Sequence, residues 1–558
     1  MPVAPHIFDR LRAIQAQHGY LPAEQLEALS KSTDLPLYQI HGVADFYPHF
    51  HLKPPPKVSV RVCSDLSCHL RGAATLRSEL EGKFGTKKKK DVSVDAVSCL
   101  GQCDGAPAAS INDHVFRDVS AARAEALVLK ALDGIALPGM PEPHRTTLAA
   151  DPYQNARPYG ALRKLVKTRN FDDVIEQLKA SGLGGLGGAG FPTGLKWDTV
   201  RKAPGTEKYV VCNADESEPG TIKDRFILDH LPHLVIEGII IAGLVTGARR
   251  GFIYIRHEYA AQQKSLEQEL FRATAEGLLG ANIVGFDLEI VTSPGGYICG
   301  EATALLEALE GKRAEPRNKP PLPATHGLWN RPTVLNNVET FANVPQILFN
   351  GVDWYKGQGQ NGAAGLKFVG VSGDVQNPGV FLIPMGLPMS DVIFKHSGGI
   401  RNGKKLKAFA PSGPSSGFLP ASMADTRVDL KSLASAGSML GSSGIVVCAE
   451  GTCMLDLALN ATKFFRNESC GKCVPCRIGT QEMVDILTLW SQGKGTAADL
   501  KLVDQLSETL RLTSICGLGQ YAPSPIASVL KYFRGEIEAH ILSHHCPEGV
   551  CPMAEVRV

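Results

Sequence analysis

The sequence has no apolar run long enough to cross a bilayer: the longest, Leu234 to Ala248, is too short and contains Glu237. Its N-terminus, MPVAPHIFDRLRAIQ, has no apolar core of signal-peptide length. Net charge is also nearly absent, because 58 basic residues stand against 56 acidic ones, which leaves no general field to attract nucleic acid or an anionic membrane. These absences predict a cytoplasmic chain without a transmembrane segment and without a nucleic-acid partner.

Cysteine, in contrast, is abundant, with 14 residues in 558. A chain without an export signal is expected in a reducing compartment, where structural disulfides are rare. We therefore expect the cysteines to serve metal or redox chemistry, and their spacing indicates which.

The chain is too long for a single hydrophobic core, and its 44% apolar residues can build several. Helical periodicity, strand-helix alternation and Pro-rich stretches divide it into segments. We predict an α/β multidomain fold with a helical lead-in (1–55), a small α/β domain (56–137), a linker (138–158), a larger α/β domain (159–360), a β-containing insert (361–445), a helical bundle (446–535) and a Cys/His tail (536–558).

The first cysteine group combines C-x4-C at Cys63 and Cys68 with C-x3-C at Cys99 and Cys103, and each pair follows a strand-like run. Four thiolates that converge from two neighbouring loops suit a 2Fe–2S cluster or a zinc ion. Zinc sites more often use C-x2-C knuckles, so the wider loops favour the 2Fe–2S cluster over zinc or plain core cysteines.

The second group is C-x2-C-x2-C at Cys470, Cys473 and Cys476, with Cys516 in SICGLG as a distant fourth thiolate. Three closely spaced thiolates and one remote thiolate are a common cage for a 4Fe–4S cluster. We predict such a cluster in the helical bundle.

The tail is rich in cysteine and histidine. With a cysteine from the start of the bundle it offers four candidate zinc ligands: Cys453, His540, Cys546 and Cys551. The alternative is an exposed tail with unligated thiols. Three isolated cysteines, Cys212, Cys299 and Cys448, are expected to pack as small core residues.

A glycine-rich segment, SGLGGLGGAGFPTGLKW (Ser181–Trp197), formally contains G-x-G-x-x-G. A Rossmann site needs a strand immediately before the glycines, whereas the preceding FDDVIEQLKA is helical in pattern. The glycines instead allow the backbone to approach a flat ring or a phosphate, with which Lys196 could pair; the alternative is a flexible loop. Polar clusters in VVCNADESEPGTIKDR and GGYICGEATALLEALEG could bind ribityl and ribose hydroxyls.

Together and in this order, the strings GLGGAGFPTGLKW, CNADESEPGTIKDR, YICGE, PTVLNNVET, SCGKCVPCRIGT and SICGLG closely resemble the NADH-oxidising flavoprotein module of respiratory complex I and of soluble NAD-linked hydrogenases and formate dehydrogenases. The resemblance covers nearly the whole chain. It implies a fused thioredoxin-like 2Fe–2S domain at the N-terminus and a β-grasp-like insert. The implied cofactors are FMN, NAD, a 2Fe–2S cluster and a 4Fe–4S cluster.

The same resemblance implies the residues that hold the flavin and the nucleotide. Those for FMN are Gly185, Gly187, Lys196, Asn213, Asp215, Gly300, Glu301, Asn336 and Asn337. NAD(H) would stack over the flavin and use Phe191, Glu216, Glu218 and Tyr297. No residue is required as a general acid or base, because the flavin itself carries the hydride chemistry.

The chain departs from the family pattern at several positions. Gly184 and Leu186 stand where arginines are common, and Ala302 replaces a common Glu, which removes one negative charge near the flavin. Thr199 and Leu322 stand where related chains have aromatic residues that clamp the adenine. This leaves Phe191, in the glycine-rich segment, as the ring for that role.

Three further strings, GPSSGFLPASMAD, AEPRNKPP and SPIASVLKYF, are most similar to β subunits of molybdenum- or tungsten-dependent, NAD-linked formate dehydrogenases, and the tail HHCPEGVC is similar to tails of the soluble hydrogenase and formate dehydrogenase branch. This resemblance implies a diaphorase subunit that passes electrons from its clusters through FMN to NAD+. Its partner would be an α subunit with molybdenum or tungsten and further iron–sulfur clusters, with small accessory subunits. The alternatives are a diaphorase subunit of an NAD-reducing hydrogenase, a complex I-like NADH dehydrogenase subunit and, in a different class, a flavin-free metal-binding scaffold.

Overall fold

Three short helices open the chain, as the helical periodicity predicts. The computed structural model describes residues 7–85, 91–140, 148–154 and 156–553. The opening helices are α1 (Ile7–His18), α2 (Ala23–Thr33) and α3 (Leu37–Phe46). Their apolar residues are buried in one cluster with residues such as Leu305 and Cys516, which lie far along the chain. The lead-in therefore packs against the later domains.

The small α/β domain has a four-stranded sheet in the order β2-β1-β3-β4, in which β1 and β2 are parallel and the other pairs antiparallel. Its elements are β1 (Val58–Cys63), α4 (Leu66–Leu70), α5 (Ala73–Phe84), β2 (Val92–Val97), β3 (Ala109–Ile111), β4 (His114–Phe116) and α6 (Ala121–Leu132). Cys63 pairs with Val97 at the carboxyl ends of β1 and β2. Because parallel strands end at the same edge of a sheet, both cysteine loops emerge together.

The larger α/β domain contains a four-stranded, all-parallel sheet in the order β7-β6-β5-β8. Its elements are α7 (Gly160–Thr168), α8 (Phe171–Ser181), α9 (Thr193–Lys202), β5 (Tyr209–Ala214), α10 (Lys223–His230), α11 (Pro232–Thr246), β6 (Arg250–Ile255), α12 (Ala260–Ala275), β7 (Asp287–Thr292), α13 (Ala302–Leu309), β8 (Thr333–Asn337), α14 (Val338–Asn350) and α15 (Val352–Gly357). The glycine-rich loop follows helix α8 and precedes helix α9, so the strand that a Rossmann site requires is absent from that position.

The longest apolar run of the sequence forms most of α11. This helix is buried almost all round, which explains why its pattern is continuous rather than amphipathic. Within it, the carboxylate of Glu237 accepts hydrogen bonds from the Tyr153 hydroxyl and the Leu162 N–H, each at 2.9 Å. In the ranges that the structure describes, no single helix is long and apolar enough to cross a membrane, and only α10 and α11, bent by 94°, meet the length and composition criteria as a pair.

The insert is a five-stranded sheet in the order β10-β9-β13-β11-β12. Its elements are β9 (Leu366–Gly373), β10 (Gly379–Pro384), α16 (Met389–Asp391), β11 (Leu406–Ala410), β12 (Leu419–Pro420), α17 (Leu430–Ser435) and β13 (Gly444–Ala449). The predicted boundary at residue 445 falls inside β13. Since β13 is the central strand, paired with both β9 and β11, the insert ends after Ala449.

Helices make up most of the chain from Met454 to Leu542, as predicted for the bundle. They are α18 (Met454–Asn467), α19 (Val474–Ser491), α20 (Ala497–Thr513), α21 (Gly517–Tyr521), α22 (Ser524–Tyr532) and α23 (Arg534–Leu542). The predicted start of the tail at residue 536 lies within α23, so the tail after the last helix is shorter than predicted. Of the predicted linker 138–158, residues 141–147 and 155 lie outside the described residues.

Candidate cofactor sites

The structure brings the first four cysteines into one buried group. The sulfurs of Cys99 and Cys103 are 3.4 Å apart. Hydrogen bonds with Cys68 and Cys99 raise the pKa of the Cys63 thiol well above its ordinary value, so Cys63 contacts both of these thiols. The N–H groups of Gly101 and Gly220 donate to cysteine sulfurs at 3.4 and 3.3 Å. Four converging thiols with backbone donors suit a 2Fe–2S cluster.

The second cysteine group lies between α18 and α21. Cys470, Cys473 and Cys476 occupy the loop and first turn of α19, and Cys516 precedes α21. Burial raises the pKa of the Cys476 thiol to about 12, with smaller contributions from the other three thiols. A Cβ atom at Gly519 would lie 3.0 Å from the Cβ of Cys476, so glycine allows the fourth ligand to approach the other three. The arrangement fits the cage that a 4Fe–4S cluster needs.

The four candidate zinc ligands also meet, and all are buried. One ligand atom from each of Cys453, His540, Cys546 and Cys551 lies within 4.8 Å of the others. Cys453 Sγ is 3.5 Å from His540 Nε2 and 3.6 Å from Cys551 Sγ. His540 Nδ1 is 2.6 Å from the carbonyl oxygen of Glu536, an arrangement that leaves Nε2 to face the sulfurs. The donor set suits tetrahedral zinc.

The three isolated cysteines, Cys212, Cys299 and Cys448, have no exposed surface and pack in the core. Their predicted burial is confirmed.

A cavity of about 360 Å³ opens at the carboxyl ends of β5 and β8. Most of the predicted flavin and nucleotide residues line it: Gly187, Asn213, Asp215, Glu216, Glu218, Tyr297, Gly300, Glu301 and Asn337. Four predicted residues, Gly185, Phe191, Lys196 and Asn336, are not among the lining residues. The carboxyl edge of a parallel sheet is the usual position of a ligand site in α/β proteins.

Several polar side chains of the cavity are held by the protein itself. Asn213 Nδ2 donates to the carbonyl of Gly300 at 2.9 Å, which joins the ends of β5 and the turn before α13. Glu301 caps α13 by accepting the N–H groups of Thr303 and Ala304. Asn337 caps α14 in the same way. These side chains shape the cavity wall, and their backbone groups remain next to it.

Lys196 and Asn336 do not line the cavity. Their polar groups suit a ligand that carries a phosphate ester and a polar ring. The Lys196 ammonium donates to the carbonyl of Leu335 at 2.8 Å, and burial lowers its pKa to about 8. Among the side chains that the structure describes, Asn336 Nδ2 and Thr193 Oγ1 are buried without a hydrogen-bond partner. A Cβ atom at Gly187 would lie 2.7 Å from that of Asn337, so only glycine allows the loop to close over β8.

The carboxylate of Glu216 points away from the cavity. It accepts the N–H groups of Asp224 and Arg225 at 2.8 and 3.1 Å and the hydroxyl of Tyr259 at 2.9 Å. Burial raises its pKa to about 7. Any contact of Glu216 with a nucleotide would therefore come from its backbone.

Glu218 is held between two domains. Its carboxylate accepts the hydroxyl of Tyr297, and it accepts the N–H of Ser415 from the insert at 2.9 Å. Burial raises its pKa to about 7. The insert thus positions an acidic group of the cavity.

Thr199 and Leu322, which stand where related chains have rings that clamp the adenine, are both exposed, and so is Phe191. Phe191 is 49% exposed on the glycine-rich loop and Leu322 is 53% exposed. Leu186, at a position where arginine is common, is buried in the core. Gly184 approaches Gly190 so closely that a Cβ atom would lie 2.8 Å from its carbonyl oxygen. Any residue larger than glycine at position 184 would require this loop to move.

Sequence reasoning missed the wall that comes from the insert and the bundle. Its residues are Ser412, Ser415, Met439, Gly441, Ser442, Gly517, Leu518 and Tyr521. The GPSSG string contains Ser415, but nothing local to it indicates that it reaches Glu218, which lies 197 positions earlier.

The cavity lies next to residues of both cluster sites. Gly220, whose N–H contacts Cys103, precedes the lining residue Thr221, and Gly517 and Leu518 directly follow Cys516. Two cysteine cages next to a cavity that suits a flavin and a nucleotide are the features of an iron–sulfur flavoprotein.

Comparisons with known families divide the chain in the same way. It matches the thioredoxin-like [2Fe-2S] ferredoxin (residues 4–132), the Nuo51 FMN-binding domain (178–346), the SLBB domain (368–419) and the NADH-ubiquinone oxidoreductase-F iron-sulfur binding region (456–540). The ferredoxin match begins before α1, so it includes the helical lead-in. The chain belongs to the family of NADH-quinone oxidoreductase F subunits, and it is an NADH-oxidising flavoprotein subunit with FMN and iron–sulfur clusters.

The relatives include subunits of different complexes. The chain is 45% identical to the HndC subunit of the NADP-reducing hydrogenase of Solidesulfovibrio fructosivorans, over 72% of this chain and 82% of that protein. It is 44% identical to the F 2 subunit of the NADH-quinone oxidoreductase of Rhizobium meliloti, over 71% and 95%. A solved structure of an NAD+-reducing [NiFe]-hydrogenase in the H2-reduced state matches 98% of this chain and 95% of its own, with 31% identity and a TM-score of 0.86.

Proposed function

We propose that this chain is the diaphorase subunit of an NAD-dependent formate dehydrogenase complex. A partner α subunit with molybdenum or tungsten and further iron–sulfur clusters oxidises formate. Electrons pass through the clusters to FMN and reach NAD+ as a hydride. The reaction is reversible, and small accessory subunits complete the complex.

The observation that carries this proposal is the similarity of GPSSGFLPASMAD, AEPRNKPP and SPIASVLKYF to the β subunits of such enzymes. The first string contributes Ser415, whose N–H contacts Glu218 in the nucleotide cavity. This contact supports a position of the string next to the proposed NAD(H) site.

Within this function, the cofactors are assigned to the predicted residues. FMN uses Gly185, Gly187, Lys196, Asn213, Asp215, Gly300, Glu301, Asn336 and Asn337, and NAD(H) uses Phe191, Glu216, Glu218 and Tyr297. The 2Fe–2S cluster uses Cys63, Cys68, Cys99 and Cys103, and the 4Fe–4S cluster uses Cys470, Cys473, Cys476 and Cys516. Support comes from the shared cavity, from the buried ammonium of Lys196 and from the two groups of converging thiols.

A structural zinc ion joins the tail to the bundle through Cys453, His540, Cys546 and Cys551. The mutual approach of the four ligand atoms and the contact of His540 Nδ1 with a carbonyl support this assignment.

The test is anaerobic affinity purification of the tagged chain with its native partners, followed by NAD+ reduction assays with formate and with hydrogen. We expect formate-dependent reduction and a molybdenum- or tungsten-containing partner. Activity with hydrogen but not with formate would refute the formate assignment and leave the cofactor assignment intact.

A hydrogenase diaphorase is the second candidate. It is favoured by the match to an NAD+-reducing [NiFe]-hydrogenase over nearly the full length of both chains. The assay with hydrogen separates the two candidates. A flavin-free scaffold would contain neither bound flavin nor iron, so flavin and iron analysis of the purified chain tests that class.

A further inference from the structure

Arg256, which follows β6, is a buried side chain that contacts two loops: the 2Fe–2S loop, which contains Cys99 and Cys103, and the nucleotide loop after β5, which contains Glu216 and Glu218. Its Nη2 donates to the carbonyl of the cluster ligand Cys99 at 2.6 Å, and its Nη1 donates to the carbonyl of Glu216. Its Nε donates to Glu258 at 2.9 Å. The guanidinium is only 4% exposed. One cation therefore contacts both loops, and its Nε donates to a carboxylate.

Neighbouring contacts also hold the two loops together. The Tyr259 ring lies against Gly101, where a Cβ atom would be 2.6 Å from the ring, and its hydroxyl donates to Glu216. Arg225 donates to the carbonyl of Gly101 and forms a two-pronged pair with Asp104 at 2.8 Å. Arg225, Arg256 and Tyr259 are buried, which strengthens their interactions, and a cavity of about 620 Å³ lined by Cys99, Arg256 and Glu258 opens beside them.

The charges around Cys99 come from both domains. The two arginines, Arg225 and Arg256, are paired with Asp104 and Glu258 respectively. His49 Nε2 lies 3.8 Å from Glu258.

We propose that Arg256 is a positioning residue that docks the 2Fe–2S loop onto the nucleotide loop and raises the reduction potential of the 2Fe–2S cluster. Reduction adds one negative charge to the cluster, and a nearby buried cation stabilises that charge. Removing the guanidinium also takes the arginine partner from the half-buried Glu258, which keeps His49 as a neighbour, and the less compensated negative charge opposes reduction further. Loss of the bond to the Glu216 carbonyl removes one of the contacts that position the nucleotide loop.

The test compares Arg256→Gln, Arg256→Lys and the matched control Arg250→Gln in the full-length, cluster-loaded chain. Arg250 begins β6, the strand that Arg256 follows; its side chain is part-exposed and pairs with Glu289 on the surface. The midpoint potentials of both clusters are measured by EPR-monitored redox titration, and NADH affinity is measured on the same samples.

We expect Arg256→Gln to shift the 2Fe–2S midpoint to more negative potential without moving the 4Fe–4S midpoint, and to weaken NADH binding several-fold. Arg256→Lys keeps the charge and restores most of the potential, but it binds NADH more weakly because an ammonium lacks the fork geometry. The control behaves as wild type. An unchanged 2Fe–2S potential in Arg256→Gln, or an equal shift of both clusters, would overturn the proposal.

Arg256→Gln could fail to retain its 2Fe–2S cluster, and Glu258→Gln then provides the decisive variant. It removes the carboxylate that compensates Arg256, so the 2Fe–2S midpoint should move to more positive potential. An unchanged or more negative midpoint in Glu258→Gln would refute the electrostatic role.

Discussion

The buried ammonium of Lys196 leads to a specific prediction about flavin binding. It donates to the Leu335 carbonyl, and burial lowers its pKa to about 8. In the proposed assignment a flavin phosphate supplies the countercharge, and loss of one member of a buried charge pair typically costs about 2–5 kcal/mol. We therefore expect Lys196→Met to weaken FMN binding roughly 30- to 5,000-fold. Riboflavin has no phosphate, so its affinity should change by no more than about twofold.

The same lysine makes FMN binding depend on pH. The lysine of the flavin-free protein loses its proton near pH 8, whereas a lysine that faces a phosphate retains it to higher pH. Binding above pH 8 therefore takes up a proton, and FMN affinity should fall with rising pH by up to about tenfold per pH unit. Below pH 8 this contribution is constant.

The assay is fluorescence titration of the full-length, deflavinated chain with FMN and riboflavin, from pH 7 to pH 10. In wild type, the affinity for FMN should fall with rising pH above pH 8, whereas the affinity for riboflavin should not. In Lys196→Met, neither affinity should show this fall. An equal loss of riboflavin affinity in the variant, or wild-type FMN affinity in Lys196→Met, would refute the assignment of Lys196 to the phosphate.

Three further predictions concern the clusters, the zinc site and the core. Cys103→Ala should abolish the 2Fe–2S EPR signal and keep the 4Fe–4S signal, whereas Cys212→Ala keeps both; retention of both signals in Cys103→Ala would contradict the ligand assignment. Cys551→Ser should reduce zinc from about one ion per chain to none and lower the thermal midpoint, and unchanged zinc content would exclude the site. Glu237 has its pKa raised to about 8 by burial, so the folded chain holds more protons than the unfolded chain between pH 4.5 and pH 8, and stability falls as pH rises through that window. Relative to Glu237→Gln, wild type should lose on the order of 1.4 kcal/mol per pH unit there; parallel pH profiles of the two unfolding midpoints would contradict this.

Local spacing was sufficient to predict the cysteine cages. Cys470, Cys473 and Cys476 lie within one loop and one helical turn, so their proximity follows from chain geometry alone. Cys63 and Cys99 follow adjacent parallel strands, and the strand pattern of the sequence indicated that they meet. The periodicity of the sequence also predicted the helix before the glycine-rich loop, and the structure has a helix there in place of the strand that a Rossmann unit requires.

The sequence by itself determined the fold class, the kinds of cofactor and the groups of candidate ligands, because these depend on periodicity and on spacing within short segments. Tertiary structure alone decided the direction of side chains and the pairing of distant segments. Glu216 lies in an acidic string that suggested a nucleotide contact, yet its carboxylate is bound by Tyr259 and by two backbone N–H groups. Arg256 and Cys99 are separated by 157 positions and meet only because the two domains pack face to face. Such contacts arise from the burial of whole surfaces, which no local pattern in the chain encodes.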